Sequence, residues 1–185
     1  MRVLLSAALL AVAVVSGCSG EAPAPTATPG TDTPAITEAP AGSNAEDATF
    51  GTDLMQLQQQ AIQLAKLAPS RSSSTELVAL ANTIATGQQS ENQTVKVLLV
   101  QWNDGAGPPA APGALDAATG ARLESLRGRE FDTLWLQSML GLHRATIDLT
   151  QAEISGGHNV DARTLAKSIL ATRQAQVEQM QQMVG

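Results

Sequence analysis

Four stretches of the chain carry apolar residues at helical spacing. In the first, Phe50, Leu54, Leu57, Ala61, Leu64 and Ala68 fall on one stripe, and Gln56, Gln59, Gln60 and Gln63 lie mostly away from its centre. The Ser43-to-Glu46 spacing fits a capping box at its start, and Pro69 is expected to stop it. The second stretch begins around Ser74 or Thr75, with Glu76 suited to the positive end of a helix. Its stripe runs Leu77, Leu80, Ile84, then Val95, Leu98 and Trp102. The third runs from about Arg129 to Ser155 and ends at Gly156-Gly157, a pair that permits left-handed C-terminal geometry. The fourth starts after Asn159, a good cap, and reaches about Met183. Between the second and third lies a Gly-, Pro- and Ala-rich connector, residues 103–120, with a short helix expected around Ala121 to Arg127, broken at Gly128.

The two halves of this pattern repeat. One fixed offset, without gaps, places Asp47 on Asp132, Phe50 on Trp135, Leu57 on Leu142, Ile62 on Ile147 and Leu64 on Leu149. It then places Leu80-Ala81 on Leu165-Ala166 and Ile84 on Ile169. The agreeing positions are largely the core stripe. Short turns inside each hairpin imply antiparallel neighbours, and the long middle link permits a crossover. The expectation is an all-α fold: a ferritin-like four-helix bundle over residues 46–185, built from repeated hairpins at about 47–102 and 131–185.

The stripe of the second helix is interrupted. Gln88 and Glu91 take positions between Ile84 and Val95 that point into the bundle or to its edge, and their repeat partners on the fourth helix are Arg173 and Gln176. A carboxylate placed there must be paired, protonated or bound to a cation. Glu91 and Arg173 are therefore expected to meet inside the bundle, with Arg173 as a fixed cation, unless helix rotation leaves both at the surface.

The beginning of the chain has a different character. Arg2 precedes an apolar run from Val3 to Val15, too short to span a membrane as a helix, and the run ends in Val15-Ser16-Gly17-Cys18. This is similar to a bacterial lipobox, so residues 1–17 read as a signal peptide and Cys18 as the lipidation site. Acyl chains contribute about 0.8 kcal/mol per buried CH₂, and two or more hold a protein stably at a membrane. Residues 18–45 then read as a disordered tether, because Pro, Ala, Thr and Gly dominate and large apolar groups are too few to offset the entropy of ordering. The expected location is the cell membrane, lipid-anchored on the extracytoplasmic side.

Composition narrows the function. The net charge of −6 leaves no basic footprint for nucleic acid. The chain has one cysteine, so it cannot form an internal disulfide. Two Phe and two Trp are all its aromatics, so Ala and Leu must fill most of the core. No nucleophile–base set, phosphate loop or Glu-x-x-His di-iron motif is present, and no enzymatic role is expected.

The residues resemble the domain-of-unknown-function 305 family of bacterial secreted and lipid-anchored proteins. Phe131-Asp132, Met139-Leu140, Leu142-His143, Ile147, Leu165-Ala166, Ile169 and Met180 carry the match in the second hairpin. Met55, Ala61-Ile62, Leu80-Ala81, Ile84, Gln88, Glu91 and Trp102 repeat the frame in the first. The resemblance implies a ferritin-like bundle, with some members associated with copper or other metals. It also implies a His-His pair in the first helix of each hairpin, where this chain has Leu57-Gln58 and Leu142-His143. Three of those four histidines are absent, and neither Leu nor amide Gln replaces imidazole well as a metal ligand.

Two functional expectations follow. The first is a cell-envelope lipoprotein whose helical domain binds or scaffolds an envelope partner, with reduced metal capacity. The second is a copper or other transition-metal protein using a rebuilt His/Met site. Met139 and His143 share a face of the third helix, and Met180 and Met183 lie on its antiparallel neighbour, a thioether-plus-imidazole set suited to Cu(I). Met at helical spacing is more often core filler, and a lone His is more often hydrogen-bonded than a ligand. His158, in the turn, is expected to face solvent.

Overall fold

The computed structural model describes residues 42–102 and 113–184. The signal peptide, Cys18 and most of the tether lie outside the described residues. Among the described residues five helices follow in order: α1 (Ala45–Arg71), α2 (Thr75–Gln101), the short α3 (Ala117–Ser125), α4 (Gly128–Gly156) and α5 (Val160–Val184).

The helix ends show how local chemistry set the boundaries. The capping box at α1 is Asn44 with Asp47, one residue beyond the expected Ser43–Glu46 pair. Asn44 Oδ1 accepts from the Glu46 and Asp47 backbone N–H groups, and Asp47 accepts from Asn44 N–H at 2.6 Å. Asn is as good a cap as Ser. Pro69 does not stop α1, which continues to Arg71. It falls in the last turn, where the missing N–H forfeits a single bond at an end already fraying. Ser74 caps α2 through Leu77 N–H, and Asn159 caps α5 through Asp161 and Ala162. The connector helix begins four residues earlier than expected, because Asp116 caps it through Thr119.

Gly157 ends α4 with φ −64° and ψ 144°, so the expected left-handed exit is not used. The glycine serves space instead. A Cβ there would lie 2.2 Å from Glu153 Oε1, because the Glu153 side chain folds back over the end of its own helix.

Turns of three residues make α1–α2 and α4–α5 antiparallel hairpins. Asn44 Nδ2 donates to Gly156 O, and Trp135 Nε1 donates to Leu64 O at 2.8 Å, so α1 also runs antiparallel to α4. The link from α2 to α4 must therefore travel the length of the bundle, the single-crossover arrangement of ferritin-like folds. In its described part, residues 113–127, Leu115 N–H donates to Gln60 and Leu123 is buried against the core. Gly113 stands at φ +87°, close enough to Ala145 that a side chain would collide.

The core divides in two along the bundle axis. A larger apolar cluster holds Leu57, Leu64, Leu77, Leu80, Phe131, Trp135, Met139, Leu142 and Met180. A smaller one holds Phe50, Leu54, Val95, Leu98, Leu99, Ala162, Ala166 and Ile169. Between them, on all four long helices, the buried residues are polar. Backbones approach closely within both hairpins and between α1 and α4. The α2–α5 side has far fewer close approaches, so long side chains must bridge it.

Candidate functional site

The polar residues between the two clusters form one connected layer. Asn92 Nδ2 donates to Gln58 Oε1 at 3.3 Å, and Gln58 Nε2 donates to Glu91 Oε2 at 2.7 Å. Glu91 pairs with the Arg173 guanidinium, which also donates from Nη1 to Gln176 Oε1 at 3.3 Å. His143 Nε2 lies 2.9 Å from Gln176 Oε1, and His143 Nδ1 lies 3.0 Å from Met139 O. The chain thus runs from α2 through α1, back to α2, across to α5 and finally to α4.

The internal repeat is written into this geometry. Gln58 and His143 are repeat equivalents, and so are Glu91 and Gln176. The Gln58–Glu91 bond of the first hairpin and the His143–Gln176 bond of the second are therefore the same contact made with different chemistry. The third equivalent pair is Gln88 and Arg173, both buried, at 2 % and 1 % exposure. Gln88 Oε1 and Arg173 Nε find no hydrogen-bond partner, whereas the rest of the Arg173 fork is engaged. Sequence reading singled out Glu91, Gln88, Arg173 and Gln176, but it treated Gln58 only as a lost ligand. The matching repeat positions were the available signal for it.

Electrostatics fix the protonation of the layer. Burial, reinforced by the nearby Arg173 charge, pushes His143 down to about 4, so the ring is neutral at physiological pH. Both ring nitrogens face oxygens that only accept, Met139 O and Gln176 Oε1, so the single proton of a neutral ring can serve one of these contacts and not both. Burial also lowers Arg173, opposed by Glu91. Glu91 keeps 18 % of its side-chain surface exposed, while Arg173 keeps 1 %, so the carboxylate retains some water and the guanidinium depends on its partners.

The residues of the proposed His/Met metal site are engaged in apolar packing or in the polar layer. Met139 and Met180 are fully buried in the larger apolar cluster among leucines, Phe131 and Trp135. Met183 packs at the edge of that cluster and lines a cleft of about 720 Å³ with Glu76, Arg129 and Asp132 at the far end of the bundle. His143 faces the polar layer, with both nitrogens in hydrogen-bond contact and a guanidinium beside it. A copper ion does not fit these residues as arranged. Among the described residues, no group of three or more His, Cys, Asp or Glu side chains is placed to hold a metal. The ring of His158 is solvent-exposed, and its backbone N–H donates to Asp47.

A second buried polar cluster lies at the end of the bundle where α1 begins. Asp47 is fully buried and accepts from the backbone N–H groups of Asn44, His158 and Asn159. Glu153, 1 % exposed, lies against it, and neither of its oxygens accepts a hydrogen bond. These two carboxylates meet because the α4–α5 turn folds over the start of α1, a contact between residues far apart in the chain.

Among the described residues, no helix is long and apolar enough to cross a membrane. Residues 47–184 match the family model described as a domain of unknown function, DUF305. No curated protein matches the sequence. Solved structures do share the fold. A DUF305 fragment from Deinococcus radiodurans is similar with a TM-score of 0.72 and 21 % identity, over 78 % of this chain and 98 % of that one. A DUF305 protein from Streptomyces coelicolor, described as secreted, gives 0.67 and 22 %, over 73 % and 88 %. CopM in its Cu(I)-bound form gives 0.65 and 23 %, over 74 % and 94 %.

Proposed function

The chain belongs to the DUF305 family, and from that premise we propose that it is a lipid-anchored protein of the cell envelope whose bundle serves as a binding or scaffolding module, with reduced capacity for metal. Copper enters through CopM, a structural neighbour that has been captured with Cu(I) and Cu(II). Arg173 is the observation that carries the reading. It is a fixed positive charge, buried in the layer that also holds the one histidine of the bundle interior, and its electrostatics already depress that histidine. A metal cation on His143 Nε2 would have to displace Gln176 and settle beside a guanidinium, a like-charge contact in a weakly screened interior. The thioethers that would complete such a site are engaged as apolar filler.

The module reading rests on what remains: a rigid bundle, an acidic chain with no basic footprint for nucleic acid, and no constellation that points to catalysis. The lipobox-like sequence ending at Cys18 supports membrane anchoring on the extracytoplasmic side, with an envelope protein as the partner.

Copper titration of the full-length chain tests the metal half of the proposal. Neither Cu(I) nor Cu(II) should bind at one-to-one stoichiometry more tightly than a free-histidine control. Tight one-to-one binding that is lost in His143→Ala and in Met180→Ala would overturn it in favour of a working copper site. Fractionation tests the anchor: the wild-type chain should pellet with membranes, and Cys18→Ala should move to the soluble fraction. Equal membrane retention of both would remove the lipid anchor from the reading.

A further inference from the structure

Asp47 and Glu153 come from opposite ends of the sequence and meet where the bundle closes. Asp47 sits in the first turn of α1, Glu153 in the last turn of α4. Two ionised carboxylates in contact inside a protein repel strongly, and both residues here are essentially without solvent. The two are treated differently by their surroundings. Asp47 accepts three backbone N–H groups, at 2.6 Å from Asn44, 3.2 Å from His158 and 2.9 Å from Asn159. It also lies in the first turn of its helix, where partial positive charge favours an anion. Glu153 receives no donor on either oxygen and lies at the C-terminal end of α4, where the helix dipole disfavours a negative charge. A buried carboxyl without donors is satisfied when it carries a proton and donates it to the neighbouring carboxylate.

We propose that Asp47 and Glu153 share a single proton, and that this proton latches the first turn of α1 to the α4–α5 turn, so that this end of the bundle loosens when the proton leaves. Asp47 is the hub of the latch because it gathers the start of α1 and the two turn residues that precede α5. Asn44 reinforces it by donating to Gly156 O at 2.9 Å. Gly157 admits the folded-back Glu153 side chain, since any Cβ there would strike the carboxyl.

The charged groups around Glu153 come from every element packed on it. From α1, Asp47 and, more weakly, Glu46 favour the protonated form. From α5, Arg163 opposes them. Burial is the largest influence, and together these place Glu153 at about 8. Asp47 moves the other way: burial alone would raise it, but the backbone donors of Asn44 and Asn159, the Glu153 hydrogen bond and the His158 donor hold it below the usual aspartate value. The proton therefore resides on Glu153, and mildly alkaline surroundings remove it.

Two measurements on the full-length chain test the latch. The first follows the side-chain carboxyl carbons of Glu153 and Asp47 by NMR through a pH titration. Glu153 should titrate near neutrality or above, and Asp47 should stay ionised down to acid pH. The second compares amide exchange at Asn159 between wild type and Glu153→Gln, in which a permanent amide N–H replaces the titrating proton. At pH 6 the two should agree within about twofold, and at pH 9 wild type should exchange about tenfold faster, since the protonated fraction falls about tenfold per pH unit above the pKa. A Glu153 carboxyl that titrates in the ordinary carboxylate range overturns the proposal, even if the glutamine variant does not fold. Equal exchange of the two proteins at pH 9 overturns it as well.

Discussion

Two inward-facing glutamates, one half-buried and one fully buried, are accommodated in two different ways. In the middle of the bundle, Glu91 pairs with Arg173 and accepts from Gln58. At the end, Glu153 has no cation in hydrogen-bond contact and lies against a second carboxylate. The first solution uses a long cationic side chain reaching across the loosest side of the bundle, where α2 and α5 stand apart. The second uses a proton, which needs no room and suits a site closed by a tight turn. A fixed ion pair carries its own counter-charge. A shared proton makes its region sensitive to pH by construction.

Breaking the ion pair should have the largest effect. Arg173→Met leaves Glu91 without its cation, and the loss of one partner of a buried pair costs about 3–5 kcal/mol. Because Glu91 keeps some contact with water, the lower end is expected, read as a drop in the midpoint of chemical unfolding. Adding Glu91→Gln should recover most of that loss, since the uncompensated charge goes with it. A double variant as unstable as the single one would show that Arg173 acts through packing and not through its charge.

Next in size is the pH profile. Glu153 has a folded pKa near 8, above its unfolded value of 4.5, so its contribution to stability is fully present below about 4.5 and lost as pH rises through about 8. His143 works in the opposite direction. Its folded value near 4 lies below the unfolded 6.5, so stability falls as pH drops from about 6.5 through about 4. The two slopes oppose each other between about pH 4.5 and 6.5, and Glu153 acts alone between about 6.5 and 8. Thermal melts should therefore decline from pH 6.5 to 8 in wild type and stay flat over that interval in Glu153→Gln.

His143→Gln sharpens the comparison of the two hairpins, because it gives the second the residue that Gln58 supplies to the first. The amide can keep the Gln176 contact, so the change at neutral pH should be about 1 kcal/mol or less. The acid-side fall in stability should shrink at the same time, as melts below pH 6 would show. The smallest effect has the opposite sign. Gln88 buries an acceptor with no partner, and Gln88→Met keeps the length of the side chain while removing that atom. Stability should rise by about 1 kcal/mol in denaturant unfolding. A fall would mean that the amide is satisfied in solution.

The sequence by itself determined the helical frame of this protein. The apolar stripes with Leu57, Leu80, Leu142 and Ile169, the turns before Thr75 and Val160, and the doubled hairpin all follow from local periodicity and capping, which neighbouring residues settle among themselves. It also pointed Glu91 and Arg173 toward the bundle interior or its edge, because a break in an apolar stripe is visible in one dimension. Tertiary structure decided which polar groups meet. Gln58 joins Glu91, and His143 joins Gln176, only because helix rotation and the crossover bring one level of four helices together. Asp47 finds Glu153 across more than half the chain, and Gly157 owes its place to that side chain and not to its own backbone angles. Burial changes the protonation of a carboxyl or an imidazole only once the whole fold has removed the water, and no stretch of sequence carries that information alone.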